Sequence, residues 1–352
     1  MAKKAYIIGS GCISPQNTAD ANYYFETIAK PEGDHFKAIE PSYKDFINPN
    51  MLRRMGRAIK MGSAAANMAM KESGLENVDG IMSGTGLGCF EDSEKFLLAL
   101  LRNDEQFLTP TSFIQSTHNT VGSQIALGMK CHNYNFTYVH RGFSFECSVM
   151  DALLSLEEGK HSALVGGIEE HTPIYVDLNT HAGKLTSDSS QKYFESTHKG
   201  IQMGEGATFF VLSDEKKNAS ASIDAISMLY KPENSNEILD KAKSFLKQNS
   251  TSLENIDLVL FGVSGDKDLD KNLDELIPTI SKTSATGYFK HLCGEYHTAG
   301  AFGTWLANKI IQKQSIPDVV KINSVSKTSI NKVLIINGYL NINYSFTLLS
   351  KC

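Results

Sequence analysis

Three residue types that together can perform nucleophilic catalysis alternate in one short segment of the sequence. Cys293 stands between His291 and Glu295, and Lys290 directly precedes them. A cysteine thiolate is a strong nucleophile, and a neighbouring base or cation can lower its pKa or carry its proton. Alternating polar residues are nevertheless common in loops. The spacing therefore indicates only a candidate residual polar site at Lys290, His291 and Cys293.

The other candidate nucleophiles and metal ligands are isolated. Cys147 lies inside a predicted helix, where a small buried thiol is expected. His140 could act as a base, but a histidine satisfied at an interface is the simpler interpretation. The six cysteines are scattered without a Cys-x-x-Cys pair, so we expect reduced thiols, no disulfide framework and no metal site.

The charge balance limits the classes of partner. The chain has 34 Lys and Arg against 39 Asp and Glu, a formal net charge of −5, and no long basic run, which argues against nucleic acid as a partner. One local basic stretch, which could dock an acidic partner or be a solvated helix face, comprises Arg53, Arg54, Arg57 and Lys60. No apolar run predicts a membrane span and the first residues do not resemble a signal peptide, so we expect a cytoplasmic protein.

The elements that must position these residues alternate between strands and helices. A helix is predicted over 51–73 with Gly74 as its stop, a strand over 134–140 and a helix over 144–158. A polar segment at 213–222 marks a boundary between two halves, 1–213 and 214–352, with a similar order of elements. This pattern predicts an α/β architecture with helix-covered sheets and suggests an internal duplication.

Four segments in the first half resemble the β-ketoacyl synthase family of the thiolase fold. The opening strand and turn at 6–15, the glycine-rich strand end at 84–88, and the segments 119–127 and 200–207 match the family's motifs in the same order. The second half is similar more loosely and is shorter than usual. The resemblance implies a thiolase-like fold, in which two duplicated halves form five layers in the order α/β/α/β/α.

The same resemblance implies that the catalytic residues are missing. Members of the family use a cysteine at a helix N-terminus and two histidines to condense carrier-bound thioesters. The nucleophile position aligns with Gly142 and the first histidine position with Gly262. Two alignments of the second histidine motif are open, and they place either Glu295 or Tyr288 there. Tyr339 takes the place of the aromatic gate residue, in a loop that has lost the family's pair of glycines.

A family fold without its catalytic set is similar to the chain-length-factor type of ketosynthase partner. The resemblance implies a subunit, inactive alone, that pairs with an active synthase of the acyltransferase class in fatty acid or polyketide synthesis. Residues 109–115 and 138–144 are also similar to ketosynthase-like proteins of aryl-polyene and flexirubin-type pigment clusters. Two alternatives remain open: a divergent condensing enzyme or malonyl-carrier decarboxylase with a rearranged site, and a homodimeric acyl-binding protein.

The resemblance also implies partners and a division of roles. No cofactor is expected to be bound, because substrates would arrive on the phosphopantetheine arm of an acyl carrier protein docked on the basic stretch. The acyl pocket is expected to involve Phe113, Ile114 and Gln115, with Tyr339 as its gate. The aromatic strand over 134–140 is expected to pair across a two-fold or pseudo-two-fold axis, in a heterodimer with an active ketosynthase or in a homodimer.

Overall fold

Ten of the twelve strands in the described part of the chain form two groups of five with the same spatial order, and the other two form a small separate sheet. The computed structural model describes residues 4–186, 198–323, 325 and 327–352. Its strands are β1 (Ala5–Ile13), β2 (His35–Phe36), β3 (Gly80–Gly84), β4 (Tyr134–Tyr138), β5 (Ser162–Glu169), β6 (Met203–Gly204), β7 (Gly206–Ser213), β8 (Ala221–Tyr230), β9 (Leu258–Gly262), β10 (Ala285–Tyr288), β11 (Lys332–Tyr339) and β12 (Asn343–Lys351).

The first group runs β4-β3-β5-β7-β1 and the second β10-β9-β11-β12-β8. In each group the next-to-last strand, β7 or β12, is antiparallel to both of its neighbours, and the other pairs are parallel. The two groups join where the start of β1 pairs with the start of β8 through three residues on each strand. The repeated order of strands confirms the predicted duplicated α/β architecture.

Helices lie between the sheets and on both outer faces. They are α1 (Pro49–Leu52), α2 (Arg57–Ser73), α3 (Phe90–Arg102), α4 (Pro110–Gln115), α5 (Thr120–Met129), α6 (Ser144–Glu157), α7 (Pro173–His181), α8 (Ser235–Gln248), α9 (Lys271–Ile280), α10 (Lys290–Cys293) and α11 (Ala299–Lys313). Among the described residues, none of these helices is long and apolar enough to cross a bilayer.

Three apolar clusters account for the five layers. The central cluster contains the buried faces of α6 and α11 and side chains from both groups of strands. A second cluster packs α2 on the first group, and a third packs α8 and α9 on the second. Every residue of α11 from Ala299 to Asn308 is buried. A helix apolar on all sides must be covered on all sides, and α11 accordingly lies between the sheets.

The basic stretch does not lie on one helix, as predicted for 51–73. The chain forms α1, then a turn that carries Arg53 and Arg54, and only then α2. Gly56 has the extended backbone of an N-cap residue, with φ −63° and ψ 171°, so α2 begins after it. The predicted end is confirmed, because Gly74 adopts φ 71° and terminates the helix in the left-handed conformation.

Candidate functional site

The residue at the nucleophile position is enclosed by an aromatic ring. Gly142 lies in a short 3-10 turn between β4 and α6 and is buried. A Cβ atom added to it would lie 2.7 Å from the ring carbons Cγ and Cδ1 of Tyr339, at the end of β11. Such a distance is not sustainable between carbon atoms. Tyr339 therefore fills the volume that a side chain at residue 142 would need.

Other residue types occupy the two positions that align with the family's histidines. Gly262 ends β9, and a Cβ added there would lie 2.2 Å from Oδ1 of Asn337 on the neighbouring strand. For the second histidine, the structure separates the two candidate residues. Tyr288 ends the edge strand β10, with its ring 3.9 Å from that of His291. Glu295 instead binds Lys290, which also binds the backbone next to Tyr339.

Lys290 and Glu295 form a fully buried ion pair. The Lys290 Nζ atom donates to both oxygens of Glu295, at 2.9 and 2.7 Å, and to the carbonyl oxygen of Gly338 at 2.6 Å. Burial raises the pKa of Glu295 to about 7, although Lys290 acts in the opposite direction. The pair thus anchors the loop that carries Tyr339 to α10 and the residues that follow it.

The candidate residual polar site at Lys290, His291 and Cys293 is not assembled. His291 packs against Tyr288, and burial lowers its pKa to about 3. The Cys293 thiol lies in the central apolar cluster, where burial raises its pKa well above the usual value. A short α-helical turn points these side chains in different directions. Of the three, Lys290 reaches the loop of Tyr339 through the Gly338 carbonyl, and His291 and Cys293 do not form a thiolate–base pair.

Cys147 is not activated either. It lies on α6, half-buried, and burial raises its pKa to about 11, with Glu146 acting in the same direction. A reactive cysteine requires a lowered pKa, which cationic neighbours would provide. The expectation of an ordinary thiol at this position agrees with this environment.

A histidine that the sequence reasoning did not consider lies beside Tyr339. His297 is 5.0 Å from Tyr339 between ring centroids, and its Nδ1 lies 3.3 Å from Oε2 of Glu169. Glu169 also accepts hydrogen bonds from the backbone N–H groups of Gly86 and Leu87. Burial acts against both charges, but their attraction raises the pKa of His297 and lowers that of Glu169. No short-range pattern in the sequence links His297 to Glu169, which precedes it by several strands and helices.

The loop after Tyr339 keeps an unusual backbone without its glycines. Leu340 and Asn341 both have positive φ, 52° and 55°, at the two positions where the family pattern has glycine. A left-handed conformation costs an ordinary residue about 1–2 kcal/mol. The Asn341 side chain accepts hydrogen bonds from Asn272 and from the hydroxyl of Tyr344, which hold the turn in place.

A cavity of about 450 Å³ opens beside this loop. Tyr339 and Leu340 line it together with residues of α7, of the segment 183–185 and of the turn after β9. Two lysines, Lys184 and Lys199, are among its lining residues, and Lys199 is paired with Asp268 at 3.0 Å. Its volume is in the usual range for small-molecule sites. Because Tyr339 fills the space at Gly142, the nucleophile position presents no atom that could accept an acyl group from a molecule in this cavity.

Another buried carboxylate lies one turn beyond Gly142. Glu146 on α6 accepts a hydrogen bond from the Ser345 hydroxyl at 2.8 Å, and burial raises its pKa from 4.5 to about 7. The folded state therefore keeps this proton to a higher pH than the unfolded chain. The contribution of Glu146 to the free energy of unfolding is complete below pH 4.5 and is lost as the pH rises to 7.

We expect Glu146→Gln to reduce the loss of stability between pH 4.5 and 7 by about 3 kcal/mol, because glutamine cannot ionise. Urea denaturation at several pH values measures this change. Glu157→Gln, at an exposed position of the same helix, is the matched control. Equal pH dependence in the Glu146→Gln variant and in the unmodified protein would contradict the assignment.

The structure separates Arg57 from the other three predicted docking residues. Arg57 donates to both carboxylate oxygens of Glu205, at 2.6 and 2.5 Å, and pairs with Glu40. Its charge is therefore neutralised within the chain, and we remove it from the docking surface. Arg53 and Arg54 are exposed and Lys60 is half-exposed. These three cations form the remaining basic patch.

The predicted acyl-pocket residues lie away from the cavity beside Tyr339. Phe113, Ile114 and Gln115 form the last turn of α4, with Phe113 and Ile114 58 % and 65 % exposed. The edge strand β4 is exposed too, including Tyr134 and Phe136 at 44 % and 48 %. Ile114 and Gln115 instead line a separate, open cavity of about 340 Å³ together with residues of α5, and in a single chain the apolar groups lie at the surface.

A protein-family model matches just over half of the chain. Residues 34–218 match the family described as the β-ketoacyl synthase N-terminal domain. A comparison with curated protein sequences finds no match.

Solved structures with the same fold include several complexes. A structure described as the ishigamide ketosynthase/chain length factor is 19 % identical with a TM-score of 0.83, and covers 100 % of both chains. The ketosynthase ApeO in complex with its chain length factor ApeC from Xenorhabdus doucetiae is 14 % identical with a TM-score of 0.77, covering 99 % of this chain and 98 % of that one. A third, AntDE:AntF, contains a type II polyketide synthase acyl carrier protein with its ketosynthase, at 17 % identity, a TM-score of 0.74 and 100 % of both chains. At these low identities, the TM-scores over nearly whole chains show a shared thiolase-like fold.

Proposed function

Because this chain belongs to the β-ketoacyl synthase family, we propose that it is a noncatalytic, chain-length-factor-type subunit of an active ketosynthase. The observation that carries the proposal is the contact between Gly142 and Tyr339. Glycine has no acyl-accepting atom, and the ring of Tyr339 leaves no room for one. The histidine positions, with Gly262 and Glu295, cannot polarise a thioester carbonyl as two imidazoles do.

The partner would carry the catalytic residues, and this chain would contribute to the walls of the acyl pocket and to the docking surface. Substrates would arrive as thioesters on the phosphopantetheine of an acyl carrier protein, in fatty acid, polyketide or aryl-polyene pigment synthesis. The exposed edge β4 would pair with the partner's equivalent strand, because an unpaired edge leaves backbone groups without hydrogen bonds. Phe113 and Ile114, exposed in one chain, would then reach the partner's acyl pocket and limit product length through their bulk.

We expect the isolated protein to form no acyl-enzyme. Incubation with acyl-carrier thioesters, followed by intact mass spectrometry, should show no stoichiometric adduct. The Gly142→Cys variant should also stay unmodified, because Tyr339 occupies the position of the new side chain, whereas Gly142→Cys with Tyr339→Ala should gain reactivity towards a small thiol reagent. The proposed partner ketosynthase, acylated on its own cysteine, is the positive control.

Co-purification from the native cell tests the partner directly. Recovery of a ketosynthase with an intact cysteine and two histidines supports the proposal. Rapid acylation of Cys147 or Cys293 would replace it with the divergent condensing enzyme. A homodimer that binds acyl chains without a synthase would replace it with the acyl-binding protein.

We further expect charge reversal in the remaining basic patch to weaken carrier-protein docking. The Arg54→Glu, Lys60→Glu double variant should lower the affinity for the cognate carrier protein by about tenfold. It should also make this affinity less dependent on salt, because exposed charges act mainly by steering the two proteins together and salt screens that attraction. Lys241→Glu with Lys243→Glu on α8 changes the net charge equally and is the control. Unchanged affinity and salt dependence in the first variant would remove the docking role.

A further inference from the structure

A second, larger cavity lies on the other side of α7 from the cavity beside Tyr339. Its volume is about 630 Å³, and its walls come from the segment around β2, the first turns of α2 and α3, and the first turns of α7. The proposed function does not use it. In the described part of the chain, no group of three or more His, Cys, Asp or Glu side chains could hold a metal ion.

Carboxylates outnumber cations in the lining of this cavity. It contains six acidic residues, Glu32, Asp34, Glu91, Glu94, Glu170 and Asp177, against three cations. Two of those cations already have partners. Arg57 is held by Glu205 and Glu40, which lie outside the lining, and Lys95 pairs with Glu91 at 2.7 Å. Burial raises the pKa of Glu170 to about 7, but even without the charge of Glu170 the lining keeps an excess of carboxylates over cations.

Two uncharged histidines, His35 and His171, lie in the same wall. His171 is only 7 % exposed, and its Nδ1 atom is buried without a hydrogen-bond partner among the described residues. The Nε2 atom of His35 also lacks a hydrogen-bond partner there, but it lies 4.0 Å from the Glu205 carboxylate, and the His35 ring is 5.9 Å from that of His171. Burial lowers the pKa of both, to about 4 for His171, so both imidazoles are neutral at pH 7. A buried polar atom without a partner costs free energy that a bound donor would recover.

Together these features define the ligand by its hydrogen-bonding and its charge. Carboxylates only accept hydrogen bonds, and a neutral imidazole accepts through its unprotonated nitrogen. A ligand rich in N–H donors and positively charged complements both, whereas an anion would meet the acidic excess. We propose that this cavity binds an organic ammonium compound with more than one charged nitrogen, of the polyamine class, contacting His171 and the carboxylates of Glu94 and Asp34.

Isothermal titration calorimetry with spermidine tests the proposal on the full chain. We expect saturable binding of one molecule per chain. Triacetylspermidine, which has the same carbon skeleton without the charges, and sodium chloride at equal ionic strength should give none. The Glu32→Gln, Asp177→Asn double variant changes two exposed lining residues and should weaken binding by about tenfold. Glu76→Gln with Glu254→Gln, at two exposed carboxylates outside the lining, removes the same number of charges and is the matched control.

His171→Asn tests the buried wall and should also weaken binding, with circular dichroism and thermal melting to establish that it folds. If it does not fold, the double variant decides alone. Absence of saturable heat with spermidine, binding unaffected by the double variant, or stabilisation by citrate in place of spermidine would overturn the proposal. These outcomes do not depend on the ketosynthase partner, so the proposed function stands or fails separately.

Discussion

Replacing Lys290 by methionine should destabilise the protein by about 3–5 kcal/mol, because it leaves the buried Glu295 without its counter-charge. Both side chains are only 1 % exposed, so water cannot compensate for the loss. The substitution also removes the hydrogen bond to the Gly338 carbonyl. Protonation of Glu295, whose pKa is already raised to about 7, would relieve part of the penalty at low pH. The loss should therefore be larger at pH 8 than at pH 5.

The double variant Lys290→Met, Glu295→Leu separates charge from packing. Replacing both members of a buried ion pair by apolar residues of similar volume is often neutral or stabilising. We therefore expect the double variant to recover most of the stability in guanidinium chloride denaturation. A single variant as stable as the unmodified protein would show that the pair does not anchor the loop of Tyr339. A double variant as unstable as the single one would point to the Gly338 hydrogen bond instead.

Replacing Phe136 by lysine should abolish assembly with the proposed partner subunit, or self-association if the protein is a homodimer. Phe136 lies in the middle of the edge strand β4, stacked on Tyr134 at 6.2 Å between ring centroids. A lysine on an edge strand opposes pairing with another strand, because its charge would be buried in the new sheet. We expect the Kd of the complex to rise at least about a hundredfold, because two or more central interface contacts are lost.

Phe136→Lys should leave the single chain folded, since substitutions at half-exposed surface positions usually change stability by about 0.5 kcal/mol or less. Light scattering after gel filtration measures the assembly, and thermal melting measures the fold. Tyr230→Lys is the control, because Tyr230 is an exposed aromatic at 60 % on a strand that is not at the sheet's edge. An unchanged complex in the Phe136→Lys variant would exclude β4 from the interface.

The architecture was predictable because it follows from local patterns. Alternating strands and helices predicted an α/β fold, and the repeated strand order confirms the duplication. The helix over 51–73 was wrong in its first turns, since Gly56 caps a second helix. One glycine among helix-forming residues did not reveal that break. The site was harder still, because His297 is separated from its partner Glu169 by a whole series of strands and helices.

The sequence by itself determined that residue 142 cannot accept an acyl group, because glycine lacks the atom, whatever surrounds it. It also determined the family, through motifs in a recognisable order. Only the tertiary structure decided that Tyr339 encloses that position and that Glu295 pairs with Lys290. It also decided that Arg57 forms an ion pair with Glu205, 148 residues away. Steric exclusion and charge pairing depend on distances of a few ångströms in space, and separation along the chain does not specify those distances.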